Sequence, residues 1–225
     1  MGPGEFVAQV KELLQSHQNP AQAAPMARYM KNLFPFLGLK RPERDLLTRQ
    51  LLAQVKGSDE AWLLEATLGL WKLPEREFQY VATDLLWMSR KALTPATLPF
   101  AEQLMVEKSW WDSVDALTGQ VVGPLVWRFP ELKKEMDRCS RHPNFWMRRC
   151  AIIHQLAYKD KTDPERLFRY CLDNAADPEF FIRKAIGWAL RQYARTNPQA
   201  VYTFVDNHRD RLSPLSIREA LKHRQ

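Results

Sequence analysis

The sequence has little glycine, little cysteine and no long apolar run. Only 8 of its 225 residues are Gly, whereas a β-sandwich or barrel needs a Gly-bearing turn about every 8–12 residues. Its apolar stretches are all shorter than the roughly 18 residues that a membrane span requires. With 26% charged and 45% hydrophobic residues, the composition is also not that of a disordered chain. These absences favour a water-soluble helical protein that is punctuated by its 15 Pro.

We expect no secretion signal at the amino terminus. The first residues lack the charged segment and apolar core of a signal peptide, and Phe6 stands where a myristoylation signal has Ser or Thr. We expect residues 1–5 to be a disordered or cloning-derived tail within a single domain over residues 1–225. The cysteines are odd in number and unclustered, which suits reduced thiols and a cytoplasmic location. They are Cys139, Cys150 and Cys171.

Positive charge is concentrated in the C-terminal half of the chain. The net charge of the whole chain is +7, and residues 138–195 alone carry 12 Lys and Arg against 6 Asp and Glu. Residues 1–137 are nearly balanced, with 16 basic and 17 acidic residues. Such an asymmetry is typical of proteins that bind a polyanion such as nucleic acid.

Apolar residues recur at helical spacing along the whole chain and predict an all-α protein. Short connections between these segments predict antiparallel helix pairs, and the signals together predict about a dozen helices and no strand. Asp163 and Asp177, each followed by Pro, are predicted helix caps, and Ser109 with Asp112 resembles a capping box. The clearest helical segments are Phe6–Leu14, Pro25–Phe34, Glu43–Val55, Asp59–Leu70 and Glu77–Leu93.

A motif of one polar residue and two aromatic residues occurs three times at a spacing of 35 residues. Helix pairs that repeat at roughly 33–47 residues are typical of an α-solenoid with a concave groove. Arg148-Arg149 and Arg183-Lys184 occupy matching places after two of the motifs and predict a basic strip that follows phosphates. Ordinary amphipathic helices with chance aromatics and a solvated charged face are the alternative. The motifs are Ser109-Trp110-Trp111, Asn144-Phe145-Trp146 and Glu179-Phe180-Phe181.

Most familiar catalytic patterns are missing. The sequence has no P-loop, no dinucleotide-binding fingerprint and no nucleophile elbow. Cys150 and His154 are four residues apart on one predicted helix, but two ligands do not make a zinc site. We therefore predict neither a metal nor a cofactor.

One pair of residues suggests chemistry. Trp111 and Asp115 are four residues apart and share a face of a predicted helix. A carboxylate in a basic groove can stabilise a cation that forms during a reaction, and a tryptophan face can do the same through cation–π attraction. The alternative is that Trp110 and Trp111 lie in the core and that Asp115 is solvated or paired to an arginine.

An ordered set of motifs spread over nearly the whole chain resembles one known family. The sequence resembles the AlkD family of DNA alkylation repair glycosylases, which are built of HEAT-like helical repeats. The resemblance implies an α-solenoid of HEAT-like antiparallel helix pairs with a concave basic groove for duplex DNA. At Lys40-Arg41 and Cys150-Ala151 the sequence differs from the family pattern. The motifs are Pro25–Asn32, Phe36–Gly38, Pro42–Arg44, Leu73–Phe78, Ser109–Asp115, Phe180–Trp188 and Tyr193–Pro198.

The resemblance also implies which residues act. Trp111 and Asp115 correspond to catalytic residues of the family, and Trp188 to an aromatic wall beside the damaged nucleotide. Arg149 corresponds to the arginine that holds a phosphate near the lesion, and Tyr29 to the tyrosine of the first motif. The residues predicted to bind DNA are Arg149, Tyr29, Arg148, Arg183, Lys184 and Arg191.

The implied function is that of a monofunctional DNA glycosylase. It would hydrolyse the N-glycosidic bond of cationic alkylated purines, such as 7-methylguanine, 3-methyladenine and bulky adducts, without flipping the base. A catalytically silent DNA-binding protein of the same fold and a protein–protein scaffold are the alternatives. The complete set of Trp111, Asp115 and Arg149 opposes the first, and the basic stretch opposes the second. The expected partner is duplex DNA with alkylated bases, bound in the nucleoid by a cytoplasmic monomer.

Overall fold

Helices form the regular structure of this protein. The computed structural model describes residues 1–224, and within them there is no strand. The all-α fold predicted from the periodicity is therefore confirmed. The helices group into two compact units, Met1–Phe100 and Ala101–Gln225. The predictions of a single domain, a solenoid and a concave groove stay predictions. Within residues 1–224, no helix is both long enough and apolar enough to span a membrane.

The first unit has its core between helices α1, α4 and α5. Helix α1 packs on α4, and α4 packs on α5. Phe6 of α1, Leu63 and Leu70 of α4 and Phe78 of α5 are fully buried. Burial of such side chains contributes about 1.5–3 kcal/mol each. The helices are α1 (Pro3–Ser16), α2 (Pro20–Tyr29), α3 (Arg41–Gln54), α4 (Glu60–Lys72), α5 (Arg76–Met88) and α6 (Thr97–Val106), the last of which crosses into the second unit.

The second unit is centred on helices α10 and α12. Helix α12 packs on α10 and, more extensively, on α14. A π-helical turn, Thr118–Val122, joins α7 to α8, and short 3₁₀ turns precede α9 and α11. The helices are α7 (Trp111–Leu117), α8 (Gly123–Arg128), α9 (Lys133–Cys139), α10 (Phe145–Ile153), α11 (Pro164–Asp173), α12 (Phe180–Ala194), α13 (Pro198–Asn207) and α14 (Pro214–Ala220).

The start of the chain differs from expectation in two places. Helix α1 begins at Pro3, so residues 3–5 form its first turn instead of a tail without regular structure. The predicted helix Pro25–Phe34 is wrong, because the helix begins at Pro20 and ends at Tyr29. Asn19 caps it by accepting a hydrogen bond from the Gln22 N–H at 3.3 Å. Asn followed by Pro therefore starts a helix here.

Three predicted caps in the second unit have different outcomes. Asp163 caps α11 as predicted, since its carboxylate accepts from the Arg166 N–H at 3.1 Å. Asp177 does not cap α12, because Glu179 occupies the cap position and accepts from the Phe181 N–H at 3.1 Å. The capping box at Ser109 is also wrong: Trp110 is the cap residue of α7, and the Ser109 hydroxyl donates to the Met105 carbonyl.

Candidate functional site

Helices α7, α10 and α12 each begin within one of the three aromatic motifs, α10 and α12 at the second motif residue and α7 at the third. They start at Trp111, Phe145 and Phe180. The first two starts are 34 residues apart, one fewer than the motif spacing, because Trp110 and not Ser109 is the cap of α7. Asp115, Arg149 and Lys184 are consequently each the fifth residue of their helix. This register makes Arg149 of α10 the structural equivalent of Asp115 in α7.

Asp115 and Arg149 form a bidentate ion pair. Arg149 Nε donates to Asp115 Oδ1 and Nη2 donates to Oδ2, both at 2.7 Å. The same guanidinium donates from Nη1 to the carbonyl oxygen of Phe181 at 2.7 Å. The Arg149 side chain is only 6% exposed, whereas Asp115 is 19% exposed. One arginine of α10 thus connects α7 with the start of α12. Charge-assisted hydrogen bonds of this kind are the strong ones.

Aromatic rings flank the arginine of this pair. The Arg149 guanidinium carbon lies 5.9 Å from the ring centroids of both Phe181 and Trp188. These distances are within the range of cation–π attraction. Trp188 is partly exposed, and so is Trp111, which lies one turn before Asp115 on the same helix. The structure therefore brings together Asp115, Arg149 and Trp188, three of the residues that the sequence singled out.

Phe181 also belongs to a cluster of aromatic rings with Trp110 and Trp146. The Trp110 ring centroid lies 5.1 Å from that of Phe181 and 6.0 Å from that of Trp146, and Trp146 lies 5.0 Å from Phe181. Trp110 is therefore a packing residue, as one of the alternatives held. Trp111, by contrast, shares the first helical position with Phe145 and Phe180.

Phe180 is a residue that the sequence reasoning did not select. Its side chain is 55% exposed, at the first position of α12. It precedes Phe181, whose carbonyl and ring both contact Arg149. The signal that would have found Phe180 is its equivalence to Trp111, which becomes visible only when the helix starts are known.

Burial dominates the electrostatics of Asp115. It raises the pKa of this carboxyl above the usual 3.8, while the hydrogen bonds and charge of Arg149 act in the opposite direction. The nearby charge of Asp112 adds to the upward shift. Both carboxylate oxygens accept N–H groups of a guanidinium, a geometry that requires the ionised form. Asp115 is thus a desolvated negative charge that is held in place by one arginine.

Arg148 and Arg183 bond to Asp177 and are not part of the Asp115–Arg149 ion pair. Arg148 donates to the carbonyls of His142 and Pro143 and forms an ion pair of 2.5 Å with Asp177. Arg183 Nε donates to the Asp177 carbonyl at 3.0 Å. These two cations therefore stabilise the turn before α12.

Lys184 and Arg191 share a third carboxylate. Lys184 Nζ lies 2.9 Å from Glu219 of α14, and Arg191 bonds to the other carboxylate oxygen. Gly187 allows this approach, since a Cβ at that position would lie 2.4 Å from Glu219 Cβ. The cations predicted to form one basic strip thus fall into separate groups, each with an acidic partner.

Tyr29, the remaining residue predicted to bind DNA, belongs to the first unit. It is the last residue of α2, and its side chain is 69% exposed.

The Cys150 and His154 side chains are both fully buried near the end of α10. Burial raises the pKa of the Cys150 thiol to about 12 and lowers that of His154 to about 4. His154 Nδ1 lies 2.7 Å from the Ala151 carbonyl oxygen. In the part of the chain that the structure describes, no three His, Cys, Asp or Glu side chains are grouped so that they could hold a metal ion.

The fold and the site together define an all-α protein with a buried carboxylate–guanidinium pair beside aromatic side chains. The family model of the DNA alkylation repair enzymes matches residues 10–223, and the chain belongs to this family. The predicted family resemblance is thereby confirmed. Membership gives the protein a role in the repair of alkylated DNA, with DNA as its partner.

A solved structure supports the same assignment. It is described as a predicted DNA alkylation repair enzyme from Enterococcus faecalis and is similar to this chain with a TM-score of 0.86 and 36% sequence identity. The similarity covers 92% of this chain and 96% of that chain. None of the curated proteins matches this chain.

Proposed function

We propose that the protein is a monofunctional DNA glycosylase that releases cationic alkylated purines from duplex DNA. Its substrates are 7-methylguanine, 3-methyladenine and bulky cationic adducts. The protein acts as a cytoplasmic monomer on DNA of the nucleoid. The observation that carries the proposal is the desolvated Asp115 carboxylate, held by Arg149 next to Trp188.

The chemistry needs stabilisation of the sugar more than protonation of the base. Alkylation at N3 or N7 leaves the purine cationic, so that the glycosidic electron pair neutralises the base as it departs. The deoxyribose then carries the positive charge as an oxocarbenium ion. Asp115 stabilises this ion, because a charge in a water-poor site acts more strongly than one in bulk water. Trp111 and Trp188 offer their faces to the same cation.

Water completes the reaction at the C1′ carbon of the sugar. The Asp115 carboxylate orients the attacking water, whose oxygen bonds to C1′ while its proton passes through the carboxylate to solvent. The products are the neutral free base and an abasic site. No lysine forms a covalent intermediate in this scheme, so the DNA strand stays intact.

Arg149 links the carboxylate to the DNA backbone. Three of its five N–H groups are used in the bonds to Asp115 and Phe181. The other two are donors for a phosphate oxygen. An arginine bound to both groups holds the phosphate at a fixed distance from the carboxylate. Phe180, whose ring centroid lies 5.4 Å from that of Phe181, is exposed enough to contact the sugar of the damaged strand.

A catalytically silent DNA-binding protein is the second candidate. The closed Asp115–Arg149 pair favours it, since a guanidinium that stays on both carboxylate oxygens neutralises the charge that the sugar requires. The same assay distinguishes the two functions, because the silent protein binds the lesion and releases no base.

The test is single-turnover excision from duplex oligonucleotides with one defined lesion. We expect release of 7-methylguanine and 3-methyladenine without strand cleavage, and no release of neutral uracil or hypoxanthine. Release of a bulky N7 adduct would support a base that stays stacked, because a bulky adduct does not fit a base pocket. Uracil release as fast as that of 7-methylguanine would contradict the mechanism, since a neutral base needs a proton donor.

A further inference from the structure

A cavity of about 410 Å³ lies in the second unit, between α8 and the segment 153–161 at the end of α10. Cavities of about 300–1,000 Å³ are of the size that binds small molecules in proteins. None of the residues assigned above to the reaction or to DNA binding lines this cavity. Most of its wall is apolar and includes Pro124, Trp127, Ile153 and Leu156.

We propose that this cavity binds a small uncharged aromatic molecule, which donates one N–H or O–H hydrogen bond to Nε2 of His154. Such a site goes beyond the proposed function and is independent of it, since neither Asp115 nor Arg149 lines the cavity. The ligand is defined by one unused acceptor, by aromatic walls and by charges that cancel at the rim.

His154 gives the cavity its unused acceptor. The residue is 3% exposed and lines the cavity. Its Nδ1 carries the proton, because it lies 2.7 Å from the Ala151 carbonyl oxygen, which can only accept a hydrogen bond. Burial lowers the pKa of His154 to about 4, so the ring is neutral at pH 7 and Nε2 keeps its lone pair. Within residues 1–224, Nε2 has no hydrogen-bond partner and is not sealed off by surrounding atoms.

This unpaired nitrogen requires a donor from outside the chain. A polar atom of a protein interior that makes no hydrogen bond costs free energy, and water or a ligand can supply the missing bond. Water is a poor occupant of most of this cavity, because it needs two to four polar partners and the walls are largely apolar. A mainly apolar molecule with one N–H or O–H group satisfies both the nitrogen and the walls.

Aromatic rings form part of the cavity wall. The ring centroids of Trp127 and His154 lie 5.0 and 5.8 Å from that of Tyr158, both in edge-to-face arrangements. The Tyr158 hydroxyl donates to the Gly123 carbonyl at 2.6 Å, which joins the segment 153–161 to the start of α8. Trp127 is nevertheless 49% exposed. Much of its ring is therefore available to another aromatic molecule, and aromatic rings attract each other in such arrangements.

The charged residues of the cavity cancel each other. Asp160 and Lys161 both line it, and their carboxylate oxygen and ammonium nitrogen are 3.4 Å apart. Both side chains are largely exposed, which places this pair at the solvent-facing rim. An ionic ligand would lose hydration on entry without gaining an unbalanced charge from these two residues. A free purine base is disfavoured for a related reason, since the His154 acceptor serves only one of its several polar groups.

Gly119 offers a way to fill the cavity without a clash. It lines the cavity, and no atom lies within 4 Å of the position of a Cβ there. Leucine is also a better helix former than glycine. Gly119→Leu should therefore fold and occupy part of the cavity. Gly4→Leu is the matched control, because Gly4 lies in helix α1 and likewise has no atom within 4 Å of its Cβ position.

The experiment is a calorimetric titration of the protein with indole and with 1-methylindole. Indole has one N–H donor and 1-methylindole has none, so the comparison tests the bond to His154 without altering the protein. We expect indole to bind with a Kd on the order of 0.1 mM, which suits a ligand of this size. 1-Methylindole should bind about 5–10-fold more weakly, the effect of one lost hydrogen bond. Free 7-methylguanine should bind about 10-fold more weakly than indole, because most of its polar groups would be unpaired.

The variants test the place of binding. Gly119→Leu should weaken indole binding about 10-fold or more by filling the cavity, and Gly4→Leu should bind indole like wild type. Thermal melting shows whether each variant is folded. Trp127→Ala, at a half-exposed position, is a second variant that removes part of the aromatic wall and should also weaken binding.

Four results would overturn the proposal. They are no saturable binding of indole, equal affinities for indole and 1-methylindole, tighter binding of 7-methylguanine than of indole, and wild-type affinity for indole in the folded variants Gly119→Leu and Trp127→Ala. Failure of the wild-type protein to excise any base would instead remove the proposed function and leave these binding results readable.

Discussion

Replacing Asp115 by Asn separates the chemistry of the site from its architecture. The substitution keeps the shape of the side chain and removes its charge. Two hydrogen bonds of 2.7 Å join this carboxylate to Arg149. An amide retains one acceptor oxygen, while its NH₂ group faces a guanidinium N–H, so that one charge-assisted bond of about 1.5–3 kcal/mol is lost.

The free energy of unfolding of Asp115→Asn should fall by less than the loss of this hydrogen bond alone suggests. Burial raises the pKa of Asp115, which means that the site itself disfavours the charge that the substitution removes. We therefore expect a loss near the lower end of the range, and each kcal/mol corresponds to about 2–4 °C in melting temperature for a chain of this size. The variant should remain folded at assay temperature.

Catalysis should fall much further. Loss of the charge that stabilises the oxocarbenium ion should reduce single-turnover excision of 7-methylguanine by roughly 10²-fold or more, about 2.7 kcal/mol. DNA binding should be equal or tighter, because a charge that repels phosphate is gone. Asp112→Asn is the matched control: it makes the same charge change on the same helix and should retain most of the excision rate. A folded Asp115→Asn protein with near-normal excision would refute this role of Asp115.

Three further predictions address other parts of the structure. Burial raises the pKa of Asp115 above its unfolded value of 3.8, so the ionised form is lost at a higher pH than for an ordinary aspartate. The excision rate should therefore begin to fall with decreasing pH at a midpoint above 3.8. A midpoint at or below 3.8 would contradict the raised pKa. The same raised pKa means that the unfolded state ionises first, so that Asp115 increasingly opposes folding as pH rises through this window. Arg149→Ala should weaken binding of damaged and undamaged duplex alike and lower the salt slope by about 0.9, whereas an unchanged slope with full activity would show that Arg149 does not bind phosphate. Gly187→Ala should lower the free energy of unfolding in urea by about 1–3 kcal/mol. The new Cβ would lie 2.4 Å from Glu219 Cβ and 3.0 Å from the Ser216 carbonyl oxygen. Gly119→Ala is the control and should not destabilise the protein, because no atom lies within 4 Å of its Cβ position.

The aromatic motifs show how far a sequence pattern reaches. A helix does begin within each motif, because an amphipathic helix is specified by local periodicity. The register of the first motif was wrong by one residue, since Trp110 takes the cap position and packs on Trp146 and Phe181. The contacts that decide this register come from helices 34 or more residues away.

The sequence by itself determined the all-α fold, the cap of α11 at Asp163 and the family. These depend on hydrogen bonds and periodicities within a few residues, or on motifs that can be matched in order. Only the tertiary structure decided which charges meet. Arg149 pairs with Asp115 across two helices, and the Glu77 carboxylate binds backbone N–H groups some 40 residues earlier in the chain. Such contacts depend on how helices pack against one another, and no local pattern encodes the distance between two residues on different helices.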